Sequence, residues 1–344
     1  MAHSIDLFCR VIDNYGDIGV CWRLARQLAA EHACVVRLIV DDLHAFRYLA
    51  PEIRTDGDAR QSLLGVAVVP WAAAASLAPA DVVIEGFACD PPDAYVRAMA
   101  ARVPRPVWLN LEYLSAEPWV EDVHGRPSPH PRLPLTKYFF CPGFTERTGG
   151  LIREQSVPAA VPHDAGSTPP GTGLRLFAFT YPQAPARAVA DALALVSPRV
   201  EVGVAAPLLD RRAEWPSATV VAQPDFDALL AGFDVLLVRG EDSFVRAQWA
   251  AKPFLWHIYP TDDGAHLTKL DAWLDRYCNG LSPEAERAYR RAAHAWVGHS
   301  ATPDDFADFA QQLPALRGHA LRWRERLTAQ TDLATRLLAF IQTA

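Results

Sequence analysis

The feature that most constrains this chain is the alternation, in both halves, of short apolar runs with stretches of helical periodicity. Ile5 to Ile12 is an apolar strand run, Asp13-Asn14-Tyr15-Gly16-Asp17 is a turn, and from Ile18 to Glu31 Cys21, Leu24, Ala25 and Leu28 recur at helical spacing. Ala33 to Val40 is a second strand. The order strand–helix–strand implies a parallel sheet with a right-handed crossover. The pattern continues with a helix at Leu43 to Leu49, strands at Val66 to Val69 and Val82 to Ile84, a helix at Pro92 to Arg102, and strands at Val107 to Leu111 and Lys137 to Cys141. Ser115 to Leu135, with Pro118, Pro127, Pro129, Pro131 and Pro134, reads as a long loop of the kind that is often functional.

Ser156 to Gly173 is rich in Pro, Gly, Ser and Ala and reads as a linker. A second series follows: strands at Leu174 to Thr180, Val200 to Ala205, Thr219 to Ala222, Val235 to Val238 and Phe254 to Ile258, with helices at Ala184 to Leu195, at Asp225 to Ala231 and after Val238. From Ala265 onward the chain reads as helical, and Leu313 to Thr343 is long enough to pack back across the first domain. The expected architecture is α/β, two doubly wound halves facing a cleft. The domains are residues 1–155, a linker at 156–173, residues 174–325, and a C-terminal helix at 326–344 returning to the first domain.

A length of 344 residues with half of them hydrophobic suits two cores. The net charge is −7, the only lysines are Lys137, Lys252 and Lys269, and no polybasic run exists, so nucleic acid and anionic membrane are not expected partners. Six cysteines without C-x-x-C spacing read as reduced thiols of a cytoplasmic protein. Met-Ala-His-Ser carries no secretory signal pattern, and no apolar run reaches the ~18 residues of a membrane span.

The densest chemistry lies in Val235 to Trp249, where an apolar strand ends at Arg239-Gly240, Glu241-Asp242-Ser243 follow, and a helix begins with Asp242 or Ser243 as N-cap. A strand, a glycine turn and a helix N-terminus form an anion site at the carboxyl edge of a sheet. Two carboxylates there would repel a bare phosphate. Arg239 and the helix amides therefore suit a diphosphate, with Glu241 and Asp242 facing sugar hydroxyls or a cation. The same residues are also consistent with a capped turn whose acids are solvated.

Asp13 and Asp17 flank the first turn and can converge on one pocket, Asp17 as general base with Asp13 in support, or Asp17 simply caps the helix. Only Gly16 and Gly19 stand in that turn, which argues against ordinary dinucleotide binding. Gln223, ending a strand, can read a nucleobase edge, and Phe226 can stack on a base or fill the core. Tyr181 follows the second domain's first strand and suits a diphosphate or sugar contact. Asp225-x-Asp227 invites a metal reading, but Pro224-Asp225 before an apolar helix is a capping signal, and no His/Cys cluster has ligand spacing, so no metal is expected. His124 and His130 are expected to face solvent.

Asp13-Asn14-Tyr15-Gly16-Asp17-Ile18-Gly19 followed by Trp22-Arg23-Leu24-Ala25, together with Arg239-Gly240-Glu241-Asp242-Ser243, resembles the protein-arginine rhamnosyltransferases of elongation factor P over nearly the whole chain. The resemblance implies a glycosyltransferase B-type fold of two Rossmann-like domains, the first binding the acceptor and the second most of the donor. It implies metal-independent transfer of L-rhamnose from dTDP-β-L-rhamnose to one arginine of elongation factor P, with inversion, activating that factor for polyproline synthesis in the cytoplasm. By the same likeness Asp17 is the base and Glu241 a second essential carboxylate. Asn14, Tyr15, Gly16, Asp17, Tyr181, Gln223, Arg239, Gly240, Glu241, Asp242 and Ser243 contact the donor, and Phe226 stacks on its base. The alternatives are a B-type transferase with a lipid or carbohydrate acceptor, and a non-catalytic nucleotide-sugar-binding protein.

Overall fold

The computed structural model describes residues 3–12, 15–55, 60–157, 173–181, 183–204, 223–298 and 300–344. The chain divides into two compact units, Met1–Ser156 with Gln330–Ala344, and Val157–Ala329.

In the first unit the strands are β1 (Ser4–Cys9), β2 (Val35–Val40), β3 (Gln61–Leu63), β4 (Val66–Pro70), β5 (Val82–Gly86), β6 (Val107–Leu111), β7 (Pro127–Pro129) and β8 (Thr136–Phe140). They form one sheet in the order β3-β4-β2-β1-β5-β6-β8-β7, parallel except for β3 and β7 at its two edges. Central parallel strands are covered on both faces and so carry continuous apolar runs; Ile5, Leu7, Phe8 and Cys9 of β1 are all fully buried.

The helix α1 (Gly16–His32) lays Ile18, Cys21, Trp22, Leu24, Ala25 and Leu28 on this sheet. A Cβ at Gly86 would lie 2.7 Å from the Cys21 sulfur, so the glycine is what allows α1 to ride close to β5. Trp22 meets Phe46 of α2 (Leu43–Arg47) edge-on at 5.1 Å. Buried Arg23 forks onto Glu154, Nε to Oε1 and Nη2 to Oε2 both at 2.7 Å, which ties α1 to the end of the unit's first segment. On the other face α3 (Asp93–Ala101) supplies Tyr95, Val96 and Met99 to a second cluster.

The second unit is built on β9 (Leu174–Ala178), β10 (Val200–Val204), β11 (Val235–Arg239) and β12 (Phe254–His257), parallel in the order β10-β9-β11-β12. Its helices are α5 (Ala186–Leu193), α6 (Phe226–Ala231), α7 (Asp242–Ala250), α8 (Ala265–Tyr277), α9 (Pro283–Val297), α10 (Asp304–Gln311) and α11 (Leu313–Thr328); α4 (Trp119–Val123) belongs to the first unit. An aromatic core joins them: Phe244 stacks on Trp256 at 3.8 Å, and Trp273 on Tyr277 at 4.8 Å.

Several expectations change. Ser115 to Leu135 is not a bare loop but carries α4 and β7, whose pairing with β8 leaves Pro127 and Pro129 on an edge strand, where a missing donor is tolerated. His124 does not face solvent. It packs on Phe140 at 4.8 Å, accepts a bond from the Cys141 amide at Nδ1, and burial pushes its pKa down to about 4. His130 holds the amides of Arg132 and Leu133. Leu313 to Thr343 is two helices, α11 and α12 (Leu333–Ile341), because Asp332 caps a new start by accepting the Thr335 amide at 3.1 Å. Only α12 returns, placing Leu333, Ala334, Leu337 and Ile341 in the core of β1 and α1. The six cysteines are buried free thiols. The expected strand at Thr219 to Ala222 and most of the linker lie outside the described residues.

Because Leu337 is fully buried, Leu337→Ala is expected to destabilise the first unit by about 2–5 kcal/mol. Denaturant unfolding followed by a probe in that unit checks this, and an unchanged midpoint would mean α12 adds nothing to its stability.

Candidate active site

Each sheet reverses its strand order near its centre. In the first unit the chain goes from β1 to β2 on one side and returns to β5 on the other; in the second it goes from β9 to β10 and returns to β11. The crevice outside the carboxyl ends of the strands at such a reversal is where open α/β sheets bind ligands. The turn after β1 carries Asp17, the segment after β9 carries Tyr181, and the turn after β11 carries Arg239 to Ser243.

Asp13 and Asn14 lie outside the described residues. Tyr15 is the N-cap of α1, with no side-chain cap bond, and its ring meets Tyr48 edge-on at 5.1 Å; Gly16 is the first helical residue. Asp17 is therefore a first-turn acid and not the N-cap, a position where the helix dipole favours a negative charge. It is 1% exposed, and both oxygens are held: Oδ2 accepts the Ile12 amide at 2.8 Å and Oδ1 accepts the Tyr113 hydroxyl at 2.9 Å. Tyr113 follows β6 and stacks on Phe87, which follows β5. Neither residue stood out in the sequence; the only signal was their place just past a strand end.

The loop after β5 is unusual. Phe87, Ala88 and Asp90 have φ of 60°, 53° and 48°, left-handed values that cost non-glycine residues energy. Two buried side chains pin it: Asn110 Oδ1 accepts the Ala88 amide at 2.8 Å and Glu85 accepts the Asp90 amide at 3.1 Å. Burial pushes the Glu85 carboxyl upward, and Lys137, 2.7 Å away, opposes that.

In the second unit β11 ends at Arg239, and Gly240 takes φ of 59° to make the turn. Arg239 is mostly buried, with its guanidinium over the rings of Phe179 at 4.6 Å and Tyr181 at 4.8 Å and its Nη1 donating to the Thr180 carbonyl at 3.1 Å. Tyr181 also meets His257, at the end of β12, edge-on at 5.2 Å. The expected cap is corrected: Glu241 is the N-cap of α7, again without a side-chain cap bond. The Ser243 hydroxyl instead donates to the Arg239 carbonyl and accepts the Arg239 amide, closing the turn on itself.

Asp242 is held too. It accepts from Gln223 Nε2 at 3.0 Å and from Arg246 Nε at 3.1 Å, while Arg246 Nη1 reaches Asp227 at 2.6 Å. Gln223 opens a 3-10 turn, Gln223–Asp225, and gives a side-chain donor to this network. Phe226, at the start of α6, is half-buried edge-on to Phe177 and Phe179. Asp225 is exposed and Asp227 pairs with Arg246, so the Asp-x-Asp pattern does not gather two carboxylates on one site. No group of three or more possible metal ligands occurs among the described residues. Arg246 was missed in the sequence, although its spacing from Asp242 is that of an i,i+4 ion pair.

Two doubly wound units, each with polar and charged residues at the carboxyl edge of its parallel sheet, have the fold of the B-type glycosyltransferases. Solved structures share the fold: the spinosyn rhamnosyltransferase SpnG matches with a TM-score of 0.52 at 12% identity and the spinosyn forosaminyltransferase SpnP with 0.53 at 13%, each over 99% of this chain and 100% of that one. The profile of the elongation-factor P (EF-P) rhamnosyltransferase EarP family matches residues 5–342. Protein-arginine rhamnosyltransferases of Pseudomonas putida and Pseudomonas aeruginosa are 46% and 40% identical, with 99% and 98% of each chain covered. The structure described as the basis for EarP-mediated arginine glycosylation of translation elongation factor EF-P matches with a TM-score of 0.61 at 30% identity, over 99% of both chains. The chain belongs to the EarP family of elongation-factor P rhamnosyltransferases.

Breaking a buried ion pair is costly because a carboxylate is left without its partner. Arg246 is 2% exposed and serves both Asp242 and Asp227, so Arg246→Ala is expected to destabilise the second unit by roughly 3 kcal/mol. Asp225→Asn, on an exposed carboxylate, should stay within about 0.5 kcal/mol of wild type. Urea midpoints of both variants test the contrast; equal effects would remove the network from the frame of the site.

Proposed function

We propose that this enzyme transfers L-rhamnose from dTDP-β-L-rhamnose to an arginine of elongation factor P in the cytoplasm, with inversion and without a metal. The observation that carries the reading is the family match over residues 5–342, with Asp17 and Arg239 each at a strand-order reversal. In this reading residues 1–155 with the C-terminal helix serve the acceptor and residues 174–325 most of the donor. The net charge of −7 weighs against an anionic membrane surface and so favours a protein acceptor over a lipid one.

A guanidinium has a pKa above ~12 and is not stripped of its proton in advance. The step is therefore concerted. An arginine nitrogen bonds the anomeric carbon from the face opposite the diphosphate as the bond from that carbon to the diphosphate oxygen breaks. Asp17 takes the proton that nitrogen loses, so the glycosylated guanidinium keeps its positive charge and dTDP leaves. Asp13 and Glu241 help orient the cationic acceptor and the sugar. Arg239, fixed between two rings, and the α7 amides behind Gly240 stabilise the departing diphosphate, the task a divalent ion performs elsewhere. By the resemblance, donor contacts fall to Tyr181 and Gln223 in the second unit and to Asn14, Tyr15 and Gly16 in the first, and Phe226 offers its ring to the base. Asp242 and Ser243 serve the donor by holding the turn.

Intact-mass analysis of elongation factor P incubated with the enzyme and dTDP-rhamnose should show one added deoxyhexose, placed on arginine by fragmentation, and EDTA should leave the yield unchanged. Loss with EDTA and rescue by magnesium would overturn metal independence; no mass shift would favour another acceptor.

Asp17→Asn keeps the size and the acceptor for Ile12 while removing the base. It should bind the donor within a few-fold of wild type and transfer at least about a hundredfold more slowly, since a positioned base contributes roughly 10²- to 10⁴-fold. Glu241→Gln should weaken donor binding as well as turnover. Calorimetry with donor and single-turnover mass spectrometry separate the two effects, and wild-type transfer by Asp17→Asn would move the base to Asp13 or Glu241.

A further inference from the structure

Asp17 needs more than its own helix to point its carboxylate. One oxygen is held by a bond to the Ile12 amide, which belongs to the same turn; the other is held by Tyr113, 96 positions away. Tyr113 would be a poor anchor alone, since it follows a strand end and is 40% exposed. What fixes it is Phe87, stacked face to face on its ring with centroids 4.2 Å apart and 12° between planes.

Phe87 is itself in the left-handed region, as are Ala88 and Asp90 beside it. Such a loop persists only where its surroundings over-determine it, and strain of this kind gathers at functional sites. Here Asn110 and Glu85, both buried and both on strands of the sheet, hold the Ala88 and Asp90 amides, and the Phe87 amide bonds the Leu111 carbonyl at 2.8 Å. The rigid strands β5 and β6 thus fix the loop, the loop fixes the Phe87 ring, the ring fixes Tyr113, and Tyr113 fixes Asp17.

We propose that Tyr113, backed by Phe87, is the positioning residue for the Asp17 carboxylate. The inference rests on the reading of Asp17 as base. A tyrosine hydroxyl donating to one oxygen selects a single rotation of the carboxylate and leaves its direction set before the acceptor arrives. That is the preorganisation proton transfer requires within hydrogen-bond reach.

Tyr113→Phe keeps the ring and its stack and deletes only the hydroxyl. Loss of a hydrogen bond to a charged group corresponds to roughly tenfold or more in rate. The expected result is single-turnover transfer slowed at least about tenfold, with donor affinity within about twofold and a melting temperature lowered by no more than a few degrees. Placed on Asp17→Asn, the same substitution should cost less than about twofold, because both act through one carboxylate. Phe87→Leu, which keeps the hydroxyl but not the stack, should slow transfer by a smaller factor, again without weakening donor binding. Wild-type transfer by Tyr113→Phe, or losses that multiply in the double variant, would overturn the proposal. If Asp17→Asn is slow and Tyr113→Phe is not, only the positioning role falls; if Asp17→Asn is itself at the wild-type rate, the base assignment falls with it.

Discussion

The structure depends on one constraint: a parallel strand must be covered on both faces, and each return to a parallel neighbour must cross over the sheet. A chain obeying that rule builds outward from a first strand, and when it has gone far enough in one direction it comes back to the other side. β1 lies between β2 and β5, and β9 between β10 and β11, for this reason. The reversal parts the connecting segments and leaves a crevice at the carboxyl edge. Asp17 in one unit and Arg239 in the other stand at such edges as a consequence of topology, before any chemistry is considered.

The turn after β11 shows how a motif divides between chemistry and frame. Gly240 accepts a backbone conformation that side chains disfavour, Ser243 stitches the turn to the end of the strand, and Asp242 is locked by Gln223 and Arg246. Three of the five residues from Arg239 to Ser243 therefore hold the turn in shape. Arg239 is shaped by its neighbours in another way, its charge lying between Phe179 and Tyr181. A cation so placed loses little freedom when an anion arrives, which is the condition for stabilising charge that develops in a reaction.

The first unit uses a different device for the same end. Its acid sits in the first turn of a helix, where the dipole favours it, yet direction comes from an aromatic pair on the neighbouring loops. The loop bearing Phe87 is strained, and the strain is offset by buried Asn110 and by Glu85 paired with Lys137. Both units thus place one charged group at the carboxyl edge of the sheet and fix it with rings and hydrogen bonds from segments that follow other strands.

By itself the sequence determined the element series, because apolar period, glycine turns and capping residues are local properties that survive without tertiary context. It also placed Asp17 and Arg239 to Ser243 where a strand gives way to a helix, and the structure has them there. Edge strands such as β3 and β7 were illegible, being three residues each and stabilised only by pairing. The break between α11 and α12 rested on a capping bond at Asp332 that a continuous apolar pattern concealed. What tertiary structure alone decided was partnership: that Tyr113 bonds Asp17, that Arg246 meets Asp227, and that Ser243 closes a turn instead of capping a helix. Those pairings follow from strand order and register, which bring together residues that no local pattern connects.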